Sequence, residues 1–197
     1  YADAVTLAAN ALLTSNGNGN IDFSGTLDGG RSLQVNTGGT TFFRSVVGGI
    51  APLASITTNA AGTTAINTTA VTTAGAQSYG DPVTLGTSTT LTSTGSGAID
   101  FGGTVGGAFG LTTSTGGPLA FAGGVNIGTA SLTASTVDMN GAFATTLGPV
   151  AVSNSGLFTK GPVGSIVSAG SFSVSGNASL AANVTSTGDR KSTRLNS

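Results

Sequence analysis

The sequence predicts an all-β chain wound into stacked coils, a β-solenoid, and three observations carry that prediction. Residues 79–121 repeat residues 1–43 at an offset of 78 without a gap, with 21 of 43 positions identical. Short apolar–polar alternations recur every 8–12 positions between Gly- and Asn-rich turns. The composition favours β-branched and turn-forming residues and nearly lacks the strong helix formers.

The repeat is in register at its apolar anchors. Tyr1 matches Tyr79, Val5 matches Val83, Leu7 matches Leu85, Leu13 matches Leu91, Ile21 matches Ile99, Phe23 matches Phe101, Leu33 matches Leu111 and Phe43 matches Phe121. Such recurrence of anchors and glycines is what a stacked array requires. An offset of 78 exceeds the usual repeat length of roughly 20–50 residues, so one unit contains several coils. At roughly 20 residues per coil it makes about four, which puts equivalent residues about 19 Å apart along the axis at the spacing of paired strands.

Composition excludes several classes. Only 7% of residues are charged, against roughly 25% in an ordinary soluble protein. Disorder does not fit 38% hydrophobic residues with a net charge of −1. Three of the six bases, Arg190, Lys191 and Arg194, lie in the last eight positions. The remainder has three bases against seven acids, a net of −4, which provides no basic patch for nucleic acid. There is no Cys, so no disulfide framework or thiolate metal site forms.

Taken in order, Val5 and Leu7 flank Thr6, and Ile21 and Phe23 flank Asp22 after the turn at residues 16–20. A turn at Asp28, Gly29 and Gly30 leads to Leu33 and Val35 flanking Gln34. Phe42, Phe43, Leu53, Ile56, Ile66 and Val71 follow, punctuated by Gly48, Gly49, Asn59 and Gly62. Each period-two run is a short half-buried strand. The second unit, 79 to about 145, keeps the pattern to Phe121. From Ala122 to Thr187 the repetition is looser, as in Ser171-Phe172-Ser173-Val174-Ser175, and reads as further coils. Residues 1–189 thus form the repeat region. Residues 190–197, RKSTRLNS, break the composition and read as a non-native tail. The chain starts inside a repeat, which reads as a stretch cut from a longer array, and no signal peptide, transmembrane run or lipidation motif occurs in it.

The chemical inventory is thin. Without His or Cys, the usual nucleophile–base pairs are missing and zinc lacks its common ligands. Asp22 and Asp100 are equivalent in the repeat, as are Asp3 and Asp81. At about 19 Å apart by strand spacing they are too distant for glycosidic chemistry, which needs about 5 to 9.5 Å. Asp22 reads as an outward residue between inward Ile21 and Phe23, and Asp3 as a turn-shaping residue beside Tyr1. NGNGNIDF and GSGAIDF carry glycines before Asp, but the spacing departs from the calcium-binding nonapeptide. Lone GxG runs are turns with no following helix to bind phosphate. Threonine runs at 63–73 and 87–94 place hydroxyls on the outer face, where they suit ice or carbohydrate or act simply as soluble β-formers. The T-x-T spacing is not kept between the units, since Thr90 and Thr92 align with Leu12 and Thr14. No catalytic, cofactor or metal residue is assigned.

The run TTAGAQSYGDPVTLGTSTTLTSTGSGAIDFGGTV, residues 72–105, resembles repeats of the filamentous-haemagglutinin-like exoproteins and autotransporter-type adhesins of Gram-negative bacteria. The resemblance covers residues 1–121 closely and 122–187 in style. It implies a right-handed parallel β-helix, here of roughly nine coils without caps, in a large surface adhesin whose repeats build a shaft. It also implies export through a partner outer-membrane pore or as an autotransporter, a secreted or outer-membrane-surface location, and host or neighbouring-cell glycans or proteins as partners. The expected function is a non-enzymatic stalk or adhesion segment. The alternatives are an ice- or glycan-binding solenoid and a polysaccharide-degrading β-helix enzyme, which needs acids clustered from different coils.

Overall fold

The computed structural model describes residues 1–195, and of residues 190–195 the backbone alone. Every named strand pairs parallel with a strand about one coil away, and no helix occurs among the described residues. The offset between paired positions in the named strands runs from 17, Asn177 with Arg194, to 23, Ser32 with Ser55, and the isolated bridge of Val47 with Val71 reaches 24. One turn of the coil is therefore close to the length expected from the sequence. The result is a β-solenoid of about nine turns with three faces per turn.

Face 1 stacks Ala11–Ser15, Ser32–Thr37, Ser55–Thr58, Gln77–Tyr79, Ile99–Phe101, Leu119–Phe121, Val137–Met139 and Leu157–Lys160. Face 2 stacks Ile21–Phe23, Thr40–Phe43, Thr63–Ile66, Val83–Leu85, Val105–Gly106, Val125–Ile127, Phe143–Thr145, Ile166–Ser168 and Val184–Ser186. Face 3 runs from Val5–Thr6 and Leu27–Asp28 through Val47 to Ala70–Thr73, Thr89–Ser93, Gly110–Thr115, Thr129–Ala134 and Val150–Asn154. The long strand Phe172–Leu180 passes through a corner and closes both face 3 and face 1. The backbone of Arg190–Leu195 pairs with it. Residues 196 and 197, the end of the expected tail, lie outside the described residues.

The coil register changes the meaning of the repeat at offset 78. Tyr1 stacks on Phe23, which is in register with Phe43 and then Ile66, all on face 2. Two faces further along the chain comes Tyr79, on face 1, in register with Phe101 and Phe121. The offset therefore spans three and two-thirds turns, not four. The second copy is rotated by one face relative to the first.

The local structure is copied despite the rotation. Ring centroids are 5.3 and 5.5 Å apart in the Tyr1–Phe23–Phe43 ladder, and 5.3 and 5.0 Å apart in Tyr79–Phe101–Phe121. Asn18 and Ser96, 78 positions apart, are the two non-glycine residues with positive φ among the described residues, at 56° and 63°. Gly29 and Gly107 recur likewise with φ of 112° and 125°. The corner Thr37-Gly38-Gly39 also has a twin in Thr115-Gly116-Gly117. In each, the Thr hydroxyl donates to a glycine carbonyl of the preceding coil, Gly19 or Gly97, at 2.7 Å. In each, the second glycine's N–H donates back to that hydroxyl, at 3.0 and 2.9 Å.

The core is a set of axial ladders of Val, Ile, Leu and Phe, with inward residues alternating with outward ones along each strand. It also contains hydroxyls. The expectation that the threonine runs face outward is corrected at Thr64, Thr68, Thr73, Thr89 and Ser93, all buried. Several of these sit at strand ends, where a hydroxyl reaches a corner carbonyl that the ladder leaves free. Thr89 donates to Thr68 O at 2.8 Å, and Thr73 and Ser93 donate to Gly75 O at 2.7 and 2.9 Å.

Candidate functional site

The four acids paired by the repeat are not brought together. Asp22 is outward on face 2, where both carboxylate oxygens accept from Arg44 Nε, at 3.0 and 2.9 Å. Ser24 donates to it at 3.2 Å, and the Arg44 guanidinium lies 4.2 Å over the Phe42 ring. Asp100 is outward on face 1. Asp3 is exposed, and its carboxylate makes no hydrogen bond among the described residues, so the turn-shaping role is not seen in its side chain. Its counterpart Asp81 is fully buried.

Asp81 sits in the corner between faces 1 and 2, where its Oδ1 accepts from Thr58 Oγ1 at 3.0 Å and Thr64 Oγ1 at 2.8 Å. Its Oδ2 is buried and has no partner. Burial raises the Asp81 pKa, and the two threonine hydroxyls offset this only in part. Neither neighbour is a cation that would draw the pKa back down. The offset-78 alignment equates it with exposed Asp3, but the two occupy different surroundings in the stack.

Two further buried polar groups interrupt the face 1 ladders. Gln77 stands in register with Ile56 and Ile99. Its Nε2 donates to Val71 O, Thr73 Oγ1 and Thr92 O, and its Oε1 accepts from Tyr79 Oη at 3.0 Å. Burial raises the Tyr79 pKa. Lys160 follows Met139 in the inner ladder, and its Nζ donates to Gly161 O at 2.8 Å and Val163 O at 2.7 Å. Desolvation lowers its pKa. The sequence carried a signal for both: Gln77 and Tyr79 share a side at i and i+2, and Lys160 alternates inward after Phe158.

The outward rows are set by coil register, which the offset of 78 could not show. On face 1, Asp100 and Asp138 lie in one row with Ala120 between them. Burial raises the Asp100 pKa, and Asp138 Oδ1 is buried without a partner. On face 2, small outward residues Gly106, Asn126 and Ala144 leave a shallow groove of about 470 Å³. On face 3, Thr72, Thr92, Ser114, Thr133 and Ser153 are consecutive partners, giving an unbroken row of hydroxyls over five turns. Beside it, Thr90, Thr112 and Ser131 form a second row bounded by Ala70 and Ala151. The spacing lost between repeat units is therefore kept between coils. No group of three or more acidic side chains that could hold a metal occurs among the described residues.

These features define a parallel β-solenoid. Searches with family models, curated proteins and solved structures each returned no match.

Proposed function

We propose that the chain is a non-enzymatic length of shaft in a large secreted bacterial surface exoprotein of the filamentous-haemagglutinin-like type. The observation that carries this reading is the in-register stack itself. A unit that returns rotated by one face cannot rebuild a site along one side of the molecule, yet it rebuilds the same core ladder and corners. What such a repeat preserves is axial extension. The shaft stands at the outer surface of a Gram-negative cell after passage through an outer-membrane pore, and it holds adhesive surface away from the cell toward host or neighbouring-cell glycans or proteins. Nucleic acid is not a partner for a body of this charge.

The test is antibody labelling of intact cells that produce the parent protein. Surface signal is expected, and signal confined to permeabilised cells overturns the reading.

A second reading, a solenoid that itself binds ice or glycan, is favoured by the unbroken hydroxyl row on face 3. The enzymatic alternative rests on Asp100 and Asp138, two turns apart and so about 9.6 Å by strand spacing, at the upper limit of the glycosidase range. Release of reducing ends from a polysaccharide, lost in Asp100→Asn and Asp138→Asn, would displace the shaft reading.

A further inference from the structure

We infer that face 3 is a docking surface for an extended, uncharged polysaccharide chain lying along the solenoid axis. The inference deepens the adhesive part of the proposed function and rests on it for the location where such a polymer would be met.

Three observations point to this occupant. The first is that the hydroxyls are free. Neither row has any side-chain hydrogen bond among the described residues. Two hydroxyl pairs elsewhere bond to each other instead, Thr40 with Thr63 at 2.9 Å on face 2 and Ser55 with Ser32 at 2.9 Å on face 1. Each hydroxyl of face 3 can donate once and accept twice, which is the pattern a sugar hydroxyl presents in return.

The second is that the rows hold no charge and no aromatic ring between Ala70 and Ser153. An anionic polymer would find no cation there, and the exposed apolar side chains Phe109 and Leu147 stand in the turns before Gly110–Thr115 and Val150–Asn154, beside the rows and not in them.

The third is that only one of the two rows runs the full length of the array. The row through Thr92 and Thr133 is unbroken over five turns, whereas its companion ends at Ala70 and Ala151. A crystal face such as ice must be matched in two directions. A linear polymer needs one continuous track, and the track advances about 4.8 Å per turn, close to the step of one sugar in an extended β-linked chain. Serines at 114, 131 and 153 sharpen the distinction, because they provide the hydroxyl without the methyl group.

The experiment is affinity electrophoresis of the whole 197-residue chain through gels containing hydroxyethyl cellulose, or alginate as the acidic control. Retardation is expected in the neutral polymer and should not weaken with added salt, since no ion pair is formed. The triple variant Thr92→Val, Thr112→Val and Thr133→Val keeps shape and β-propensity and removes three hydroxyls. It should bind at least about tenfold more weakly, with an unchanged circular dichroism spectrum. Thr84→Val, outward on face 2, should bind like the parent.

No retardation in the neutral polymer overturns the inference, as does full binding by the triple variant. Thermal hysteresis that survives in the triple variant would reassign the face to ice through its methyl groups. Failure in the gel with positive surface labelling of cells removes this inference and leaves the shaft. Failure of labelling with retardation in the gel does the reverse.

Discussion

Asp81 shows how one side chain departs from its repeat twin. Its carboxyl is raised in pKa by burial, so its sign is opposite to that of an ion-paired acid. A folded pKa above the unfolded value means that the folded state binds the proton more tightly. Stability from this group is full below the unfolded carboxylate pKa and declines as pH rises through the range up to the folded pKa. Denaturant midpoints should therefore fall as pH rises above the ordinary carboxylate range, and Asp81→Asn, which keeps the oxygen that accepts from Thr58 and Thr64, should flatten that slope. An unchanged slope in Asp81→Asn would assign the pH dependence elsewhere. Phe101 illustrates the apolar side. It is buried between Tyr79 and Phe121, at 5.3 and 5.0 Å, so Phe101→Ala should cost about 3–5 kcal/mol in equilibrium unfolding. Ser96 holds a left-handed backbone that suits it less well than it suits Asn18. Ser96→Gly should stabilise by up to about 1 kcal/mol in the same measurement.

The element that recurs is the corner rather than the strand. Thr115-Gly116-Gly117 ties one coil to the next through a hydroxyl that donates to Gly97 O and accepts from Gly117 N. A Cβ on Gly117 would meet Ser96 O at 2.3 Å, and one on Gly39 would meet Asn18 O at 2.4 Å. Gly117→Ala and Gly39→Ala should each cost about 1–3 kcal/mol, because the clash is with backbone that cannot swing away. Equal effects at the two sites, read by denaturant unfolding, would show that the corner keeps its energetics after rotation to another face. Asp28 plays a corner role of its own, since its Oδ1 accepts from Ile50 N and Ala51 N and so holds the irregular passage that follows Val47. The sequence announces the Thr-Gly-Gly corners by repeating them. It does not announce Asp28, whose partners lie a full coil further along the chain.

Across the whole molecule, stability is carried by contacts between neighbouring turns, so a turn should be removable as a unit. Deleting residues 102–121 places Phe101 where Phe121 stood, on the same face and with the same inward side. That variant should keep a β-type circular dichroism spectrum and cooperative unfolding. Deleting 102–111 removes half a turn, shifts the following strands to the wrong faces, and should lose both. Similar behaviour of the two deletions would contradict a stack of equivalent coils.

The sequence by itself determined the fold class, the approximate length of a coil and most of the core, because period-two alternation and repeated anchors express backbone pleat and stacking directly. Phe23, Phe43, Phe101 and Phe121 were all legible as inward residues. Only the tertiary structure decided which coil lies on which. The repeat spans three and two-thirds turns, so residues equivalent in sequence stand on different faces. Residues unrelated by the repeat, such as Thr92 and Thr133, come into one row. The physical reason is that a strand pairs with whatever lies one turn away, and the length of each turn is settled corner by corner, as the unequal offsets of Asn177 with Arg194 and Ser32 with Ser55 show.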